Sequence, residues 1–179
     1  MPSNQIPVVG PLLSKVFGTR NERFVKKYTT RVEEISAIEP EMRVKTDQEL
    51  RDMVAELRQQ HDDGAKTEDL LVPVFAVARE AMDRHVGIRK IFDPQHGFDP
   101  SVLSPEGRAL YAELKAEIDA AEPREPEGDL LGNTEPMPAW VWTDIPPALY
   151  EAVREAYPES KPPFRARPFD VQLIGGMVL

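Results

Sequence analysis

The sequence predicts a mainly α-helical protein. In its first half, apolar residues recur at helical spacing between residue types that start and stop helices. Thirteen of the 18 prolines lie between Pro94 and Pro168, and two further helical patterns occur in this proline-rich part. Near the end of the sequence, Asp170 is expected to cap a helix that starts at Val171.

The first predicted helix starts at Asn21, a residue type that is favoured at N-caps. Glu39-Pro40 is expected to end it, because the residue before a proline avoids the α region. Its apolar positions, close to a helical period, are Phe24, Val25, Tyr28, Val32, Ile35 and Ile38.

Two more helices follow in the first half. Thr46 and Glu49 have the spacing of a capping box, and Gly64 is expected to stop the helix that they begin. Pro73 is predicted at the first turn of the next helix, which would end at Gly87. The capped helix has one apolar face, formed by Leu50, Met53, Val54 and Leu57.

The proline-rich part contains two predicted helices and a loop. Ser104-Pro105 is a cap followed by a proline at the first helical position, and the second helix spans Pro146 to Tyr157. Residues 122–138 are rich in proline, glutamate and glycine and are expected to form a flexible loop. Trp140 and Trp142 are expected to lie in a short extended segment. The face of the first of these helices consists of Leu110, Tyr111, Leu114 and Ile118.

Length and composition exclude several classes of protein. A chain of 179 residues predicts one domain, or one domain with an appendage. The net charge of −9 excludes a generally basic nucleic-acid-binding surface. The absence of cysteine excludes disulfides, thiol catalysis and cysteine-bound metals, and it fits a reducing cytoplasm. No apolar run approaches the ~18 residues of a membrane span, and the first ten residues lack the features of a secretory signal.

The sequence predicts no catalytic or metal-binding residues. His61, His85 and His96 have no partner at metal-ligand spacing, and no serine lies in a G-x-S-x-G context. The many carboxylates are typical of solvated helix faces.

A basic, partly apolar segment lies near the N-terminus. Between residues 10 and 31 a single acidic residue, Glu22, accompanies six basic residues. A basic amphipathic segment can bind an anionic membrane surface, and a solvated helix face is the alternative. The six basic residues are Lys15, Arg20, Arg23, Lys26, Lys27 and Arg31, and the neighbouring apolar residues are Leu12, Leu13, Val16 and Phe17.

A second candidate site follows Pro168. The side-chain amide of Gln172 can both donate to and accept from an adenine edge, and Phe169 can stack on the base. An ordinary helix start is the alternative interpretation.

Several strings resemble the N-terminal part of SecA, the bacterial preprotein translocase motor. The similarity covers residues 1–89 and 167–179. The strings are Leu12-Leu13-Ser14-Lys15-Val16-Phe17-Gly18-Thr19-Arg20-Asn21, Glu39-Pro40-Glu41-Met42, Thr46-Asp47-Gln48-Glu49-Leu50, Phe75-Ala76-Val77-Ala78-Arg79-Glu80-Ala81 and Phe169-Asp170-Val171-Gln172-Leu173-Ile174-Gly175-Gly176-Met177-Val178-Leu179.

This resemblance implies a fold and site residues. Residues 1–89 would form the N-terminal helical segment of nucleotide-binding domain 1, an α/β P-loop (RecA-like) motor domain. Residues 90–166 would be an acidic α-helical insertion, and 167–179 would carry the adenine-reading motif. Gln172 would hydrogen-bond adenine, Phe169 would form the base pocket and Arg167 would flank it. The basic residues expected to contact the SecYEG channel and acidic phospholipid are Lys15, Arg20, Arg23, Lys26 and Lys27.

The resemblance also implies the family's activity and partners. SecA couples ATP hydrolysis to the export of unfolded preproteins through SecYEG, with ATP and Mg²⁺ as cofactors. The implied partners are SecYEG, preproteins, an anionic phospholipid surface and a second copy in a homodimer, with no nucleic acid. The implied location is cytoplasmic, peripheral on the inner membrane.

The sequence departs from the family pattern in two places. The family runs from a Gly-Met-Arg-like turn directly into Phe-Asp-Val-Gln, whereas about 77 residues here separate Gly87-Ile88-Arg89 from Arg167. Either arginine can be the counterpart of the family arginine. We expect the insertion to leave and return at nearly one point, and it either serves a partner or is a decoration without essential function.

The second departure is that the 179 residues contain no G-x-x-x-x-G-K-T loop. Because that loop binds the phosphates and Mg²⁺, we expect no ATP hydrolysis and only weak nucleotide binding by this chain alone. Two interpretations stay open. The chain is the N-terminal portion of a SecA motor, or it is a free-standing non-enzymatic helical module that binds membrane, SecYEG or another protein.

Overall fold

The structure is a computed structural model that describes residues 20–125 and 135–178, with side chains described from residue 26 onward. Within these residues the structure is helical, and its β pairing is limited to an isolated bridge between Arg124 and Met137. The mainly α class is therefore confirmed. The α-helices, in chain order, are α1 (Arg20–Arg43), α2 (Asp47–Asp62), α3 (Thr67–Met82), α4 (Pro105–Ala120), α5 (Ala139–Trp142), α6 (Pro147–Ala156) and α7 (Asp170–Val178). A π-helical turn (Asp83–Gly87) and 3-10 helices (Ile88–Phe92, Pro94–His96, Pro100–Val102) connect α3 to α4.

Helices α1, α2, α3 and α7 share one apolar cluster. The last helix packs against α1, and Phe75 of α3 lies beside its Gly176, although about 90 residues separate α7 from α3 along the chain. The structure buries Leu173 and Met177 of α7 among these helices. The buried members of this N-terminal cluster are Val32, Ile35, Met42, Leu50, Ala76, Val77, Leu173 and Met177.

Two prolines lie inside helices, which the sequence did not predict. Helix α1 includes Asn21, expected as its cap, and continues through Pro40 to Arg43. Its last turn is held by tertiary contacts, because Met42 is buried and the Met42 carbonyl accepts a hydrogen bond from Arg84 at 3.1 Å. Helix α3 likewise passes through Pro73, since buried residues on both sides of the proline fix the helix. In both helices, packing outweighs the hydrogen bond that a proline removes.

The boundaries of α2 agree with the sequence. The Glu49 backbone N–H donates to Thr46 Oγ1 at 3.2 Å, and the Thr46 N–H donates to Glu49 Oε2 at 2.7 Å, so the capping box is confirmed. Gly64 follows the helix end with φ +96°, a conformation that favours glycine.

The segment between α3 and α7 builds a second apolar cluster of its own. Ser104 Oγ accepts from the Gly107 N–H at 3.1 Å, which confirms the predicted start of α4. Helix α6 also lies within its predicted range. The two tryptophans lie in α5, a one-turn helix, so the predicted extended segment is wrong. The buried members of this second cluster are Ile88, Ile91, Phe92, Leu103, Tyr111, Leu114, Ile118, Ala139, Ile145, Leu149, Tyr150, Ala152 and Val153.

The chain leaves and re-enters the N-terminal helices at one place. A Cβ built on Gly87 would lie 2.5 Å from the Ala166 nitrogen and 2.9 Å from the Arg165 Cα. The Ala166 N–H also donates to Asp83 Oδ1 at 3.1 Å. The ends of the intervening segment therefore touch. The predicted end of a helix at Gly87 is replaced by the π-helical turn, which brings Asp83 toward this junction.

Candidate functional site

The first turn of α7 presents Phe169 and Gln172 to solvent. The Phe169 carbonyl accepts hydrogen bonds from the Gln172 and Leu173 N–H groups at 2.9 and 3.2 Å, so Phe169 occupies the N-cap position. The Gln172 side chain reaches back, and its Oε1 accepts from the Phe169 N–H at 2.8 Å. Phe169 is 61% exposed, and Gln172 is also exposed. This local hydrogen bond holds the Gln172 amide against the Phe169 backbone, on the same turn as the exposed Phe169 side chain.

Asp170 is not the cap that the sequence predicted. It lies inside α7, and its carboxylate accepts from Arg79 Nη2 at 2.5 Å. Arg79 is 1% exposed and also donates to the Pro168 carbonyl and to Ser36 Oγ. A buried arginine of α3 therefore fixes the start of α7 relative to α1.

Arg167 lies on the other side of this turn and pairs with α1. Its Nε and Nη2 donate to the two carboxylate oxygens of Glu39 at 2.9 and 2.7 Å, a bidentate geometry. Burial opposes ionisation of Glu39, but the hydrogen bonds and charges of Arg167 and Arg43 outweigh it and hold its pKa at about 2. The same hydrogen bond, against the opposing effect of burial, raises the pKa of Arg167. This charged pair sets the direction of Arg167.

The two candidate counterparts of the family arginine have different environments. Arg89 is 1% exposed, and its Nη1 donates to the carbonyls of Trp140, Val141 and Thr143 at 2.7–3.2 Å. It therefore holds α5 in place and is closed to a ligand. Arg167 precedes the Phe169 turn and is partly exposed, so its geometry suits a flanking residue of that turn.

A buried ionic network joins the two apolar clusters. Asp47 accepts from Arg84 at 3.0 Å, Arg89 at 2.5 Å and the Tyr150 hydroxyl at 2.8 Å. Burial opposes ionisation of Asp47, but Arg89 and these hydrogen bonds lower its pKa. Tyr150 has a raised pKa because of burial, which the neighbouring charge of Arg89 only partly opposes.

The network continues toward Ala166. Glu80 accepts from Arg84 at 2.6 Å and from Arg154 at 2.8 Å. Asp83 accepts from Arg154 at 3.2 Å and from Arg165 at 2.9 Å. The network therefore spans α2, α3, α6 and the segment before α7.

The basic residues of the N-terminal segment are only partly described. Lys15 lies outside the described residues, as do the side chains of Arg20 and Arg23. Lys26 is exposed, and Lys27 lies 3.4 Å from Glu68, which offsets its charge. Lys26 and Lys27 are adjacent on α1, and neither lies at the turn that carries Phe169.

Glu39 and Arg79 are site residues that sequence reasoning missed. One signal was available for Arg79, because it is the one cation of α3 and follows a run of apolar residues. Across residues 20–125 and 135–178, no group of three or more histidine, aspartate or glutamate side chains is arranged to hold a metal ion. None of the helices in this part of the chain is both long and apolar enough to span a membrane.

Comparison with known proteins identifies the relatives of this chain. The family described as SecA DEAD-like domain matches residues 13–97. The protein translocase subunit SecA of Dechloromonas aromatica is 38% identical over 121 residues, which cover 63% of this chain and 13% of the relative. The subunit of Rhodopseudomonas palustris is 39% identical over the same shares, and that of Maridesulfovibrio salexigens is 38% identical over 61% of this chain and 14% of the relative.

The chain thus spans 13–14% of the length of these curated relatives. No solved structure is found to match it. The helical fold of the described residues agrees with the N-terminal part of the RecA-like motor domain, to which the SecA DEAD-like domain corresponds. Residues 13–97 of the chain are therefore similar to the SecA DEAD-like domain, and 63% of the chain is similar to SecA translocase subunits.

Proposed function

We propose that this chain supplies adenine recognition to a SecA-type motor that couples ATP hydrolysis to preprotein export through SecYEG. One observation carries the proposal: an exposed amide and an exposed aromatic side chain, those of Gln172 and Phe169, lie on the same first turn of α7, where the amide binds the Phe169 backbone N–H. The whole motor's activity, with ATP and Mg²⁺ as cofactors, is proposed from similarity to SecA, since the chain covers only 13–14% of the length of these relatives.

The hydrogen bond between Gln172 and Phe169 suits base recognition. It uses one lone pair of Gln172 Oε1, because a carbonyl oxygen has two. The second lone pair can accept from the adenine N6 amine, while Nε2 donates to N7. Phe169 then offers its exposed face for stacking, and base stacking on an aromatic side chain is worth ~1–3 kcal/mol.

The neighbouring contacts keep this turn in place before a nucleotide binds. Arg79 binds the Asp170 carboxylate and the Pro168 carbonyl, and Glu39 directs Arg167. A ligand therefore meets a turn whose direction is already fixed, which lowers the entropy lost on binding.

The test is a titration of the full chain with adenosine, in which changes in NMR chemical shifts measure binding. We expect adenosine to bind and guanosine to bind more weakly, because guanine lacks the N6 amine that Gln172 would recognise. Gln172→Ala and Phe169→Ala should each weaken binding about fivefold or more. Val171→Ala is the matched control, since Val171 is exposed on the same turn. Equal binding of adenosine by all four proteins would contradict the proposal.

We also propose that the basic segment contacts SecYEG and acidic phospholipid on the cytoplasmic face of the inner membrane. Lys26 supports this proposal, because its ammonium is exposed and no carboxylate of the described residues pairs with it. The test is co-sedimentation with phosphatidylglycerol vesicles, compared with phosphatidylcholine vesicles. Lys26→Glu should reduce binding to the anionic vesicles, whereas Lys161→Glu, an exposed lysine elsewhere, should not. Equal losses in both variants would refute a role of this segment.

A further inference from the structure

Four arginines line one cavity at the junction of the N-terminal helices and the intervening segment. The cavity has a volume of about 380 Å³, and Pro158 and Ser160 complete its lining. We call it the arginine pocket. Its four arginines are Arg43, Arg154, Arg165 and Arg167. They come from the end of α1, from α6 and from the segment before α7, so the pocket exists only in the folded chain.

Carboxylates neutralise these arginines without using all their N–H groups. All three nitrogens of Arg154 are engaged, because they donate to Asp83, Glu151 and Glu80. Arg165 uses Nε and Nη1, for Asp83 and the Tyr157 carbonyl, and Nη2 stays without a described partner. A guanidinium has five N–H donors in a planar fork, so an arginine paired with one carboxylate can still bind another anion.

Arg43 and Arg167 each have a side-chain nitrogen that Glu39 does not use. Arg43 Nε is buried and has no hydrogen-bond partner among the described residues. The Arg43 guanidinium donates through Nη2 to Glu39 at 3.1 Å, while its Nη1 lies 3.9 Å from Glu151 Oε2, beyond hydrogen-bond distance. Arg167 Nη1 is likewise not used by Glu39, which takes Nε and Nη2.

A buried N–H without an acceptor is costly and is rare in folded proteins. Arg43, whose Nε lacks an acceptor, lines the pocket, so an anion bound there would lie beside this guanidinium. It would also meet the unused nitrogens of Arg165 and Arg167, which line the same cavity. Phosphate suits this arrangement, because its several oxygens accept from more than one guanidinium at once.

We propose that the arginine pocket binds a small anion with a phosphate group. This proposal goes beyond adenine recognition and does not depend on it, although Arg167 belongs to both places. The phosphate can come from a free phosphate or pyrophosphate, or from a glycerophosphate headgroup.

The test is isothermal titration of the full chain with phosphate, pyrophosphate and glycerol 3-phosphate at constant ionic strength. We expect saturable binding with a dissociation constant of about 1 mM or tighter for at least one of them. Tighter binding of phosphate or pyrophosphate would indicate a soluble phosphate as the ligand, and tighter binding of glycerol 3-phosphate would indicate a lipid headgroup. Absence of saturable binding for all three would overturn the proposal.

Three variants locate the binding. Arg43→Met removes the orphaned donor and should weaken binding about tenfold. Glu151→Gln removes a carboxylate that competes for Arg43 and should tighten it. Arg51→Gln, an exposed arginine on α2 outside the pocket, should leave it unchanged. If Arg43→Met fails to fold, Glu151→Gln still tests the proposal. Anion binding by Glu151→Gln that equals binding by the unmodified chain would then refute the pocket. Adenosine carries no phosphate, so this result is independent of the adenine test.

Discussion

Asp47→Asn is expected to be the most damaging single-atom change in the described core. Asp47 is 3% exposed and is the acceptor that Arg84, Arg89 and Tyr150 share. Because Tyr150 belongs to the second apolar cluster, this carboxylate links that cluster to α2. The amide keeps the size of the side chain but removes the charge and one acceptor.

The magnitude follows from what remains after the substitution. Arg84 keeps Glu80 and three backbone carbonyls, and Arg89 keeps three carbonyls, but both guanidinia stay buried. Removing one partner of a buried ion pair costs ~3–5 kcal/mol. Domains are stable by only ~5–15 kcal/mol, and each kcal/mol lowers the melting temperature of a chain this size by ~2–4 °C. We therefore expect a melting temperature about 6–20 °C lower.

The assay is thermal and urea denaturation of the full chain, monitored by circular dichroism and by tryptophan fluorescence. Both probes are informative, because Trp140 and Trp142 lie in the segment that Arg89 anchors. Asp52→Asn is the matched control, since Asp52 is exposed on the same helix. A loss below about 1 kcal/mol for Asp47→Asn would refute the view that this carboxylate holds the two clusters together.

The other predictions concern the junction, an ion pair and a cap. Gly87→Ala should lower the free energy of unfolding by about 1–3 kcal/mol or more, because its Cβ would lie 2.5 Å from the Ala166 nitrogen. Gly175→Ala, in α7 with open space around the Cβ, should raise it by about 0.5–1 kcal/mol in the same urea titration. Glu39→Gln should cost up to about 3 kcal/mol at neutral pH, and melting curves should show that difference shrinking as the pH falls from 4.5 to about 2. Thr46→Ala should cost about 1 kcal/mol by loss of the capping box, measured by urea denaturation.

Each of these predictions has a clear contrary outcome. Equal effects of the two glycine substitutions would mean that the close approach at Gly87 is not what limits a side chain there. For Glu39, the sign follows from its lowered pKa: the ionised form is favoured in the folded chain, so stability is lost as the carboxylate takes up a proton. A difference between the two proteins that stays constant down to pH 2 would contradict this pairing. An unchanged stability of Thr46→Ala would show that the neighbouring contacts of α2 make its cap dispensable.

Local signals in the sequence predicted the helices whose boundaries depend on neighbouring residues. Thr46 with Glu49 and Ser104 with Pro105 are such cases, because a cap is satisfied within four residues of the chain. The predictions failed where distant residues decide. Helix α1 continues past Pro40 because Arg84 binds the carbonyls of its last turn. At Trp140 the helix α5 forms in place of the predicted extended segment, because Arg89 donates hydrogen bonds to carbonyls of this segment.

The candidate site divides in the same way. Phe169 and Gln172 are close in sequence, so their pairing on one helix turn could be anticipated, although Asp170 was assigned the cap that Phe169 provides. Glu39 and Arg79 could not be placed at this turn, since both reach it from more than 80 residues away.

The sequence by itself determined that the chain is mainly helical, acidic and related to SecA, because composition, periodicity and motif strings are properties of neighbouring residues. Only the tertiary structure decided that Gly87 meets Ala166, that Asp47 joins two apolar clusters and that four arginines share a pocket. The physical reason is burial. The sequence does not show which charged side chains are buried, and a buried charge needs a partner of opposite charge or a hydrogen bond. The fold decides which residue that partner is.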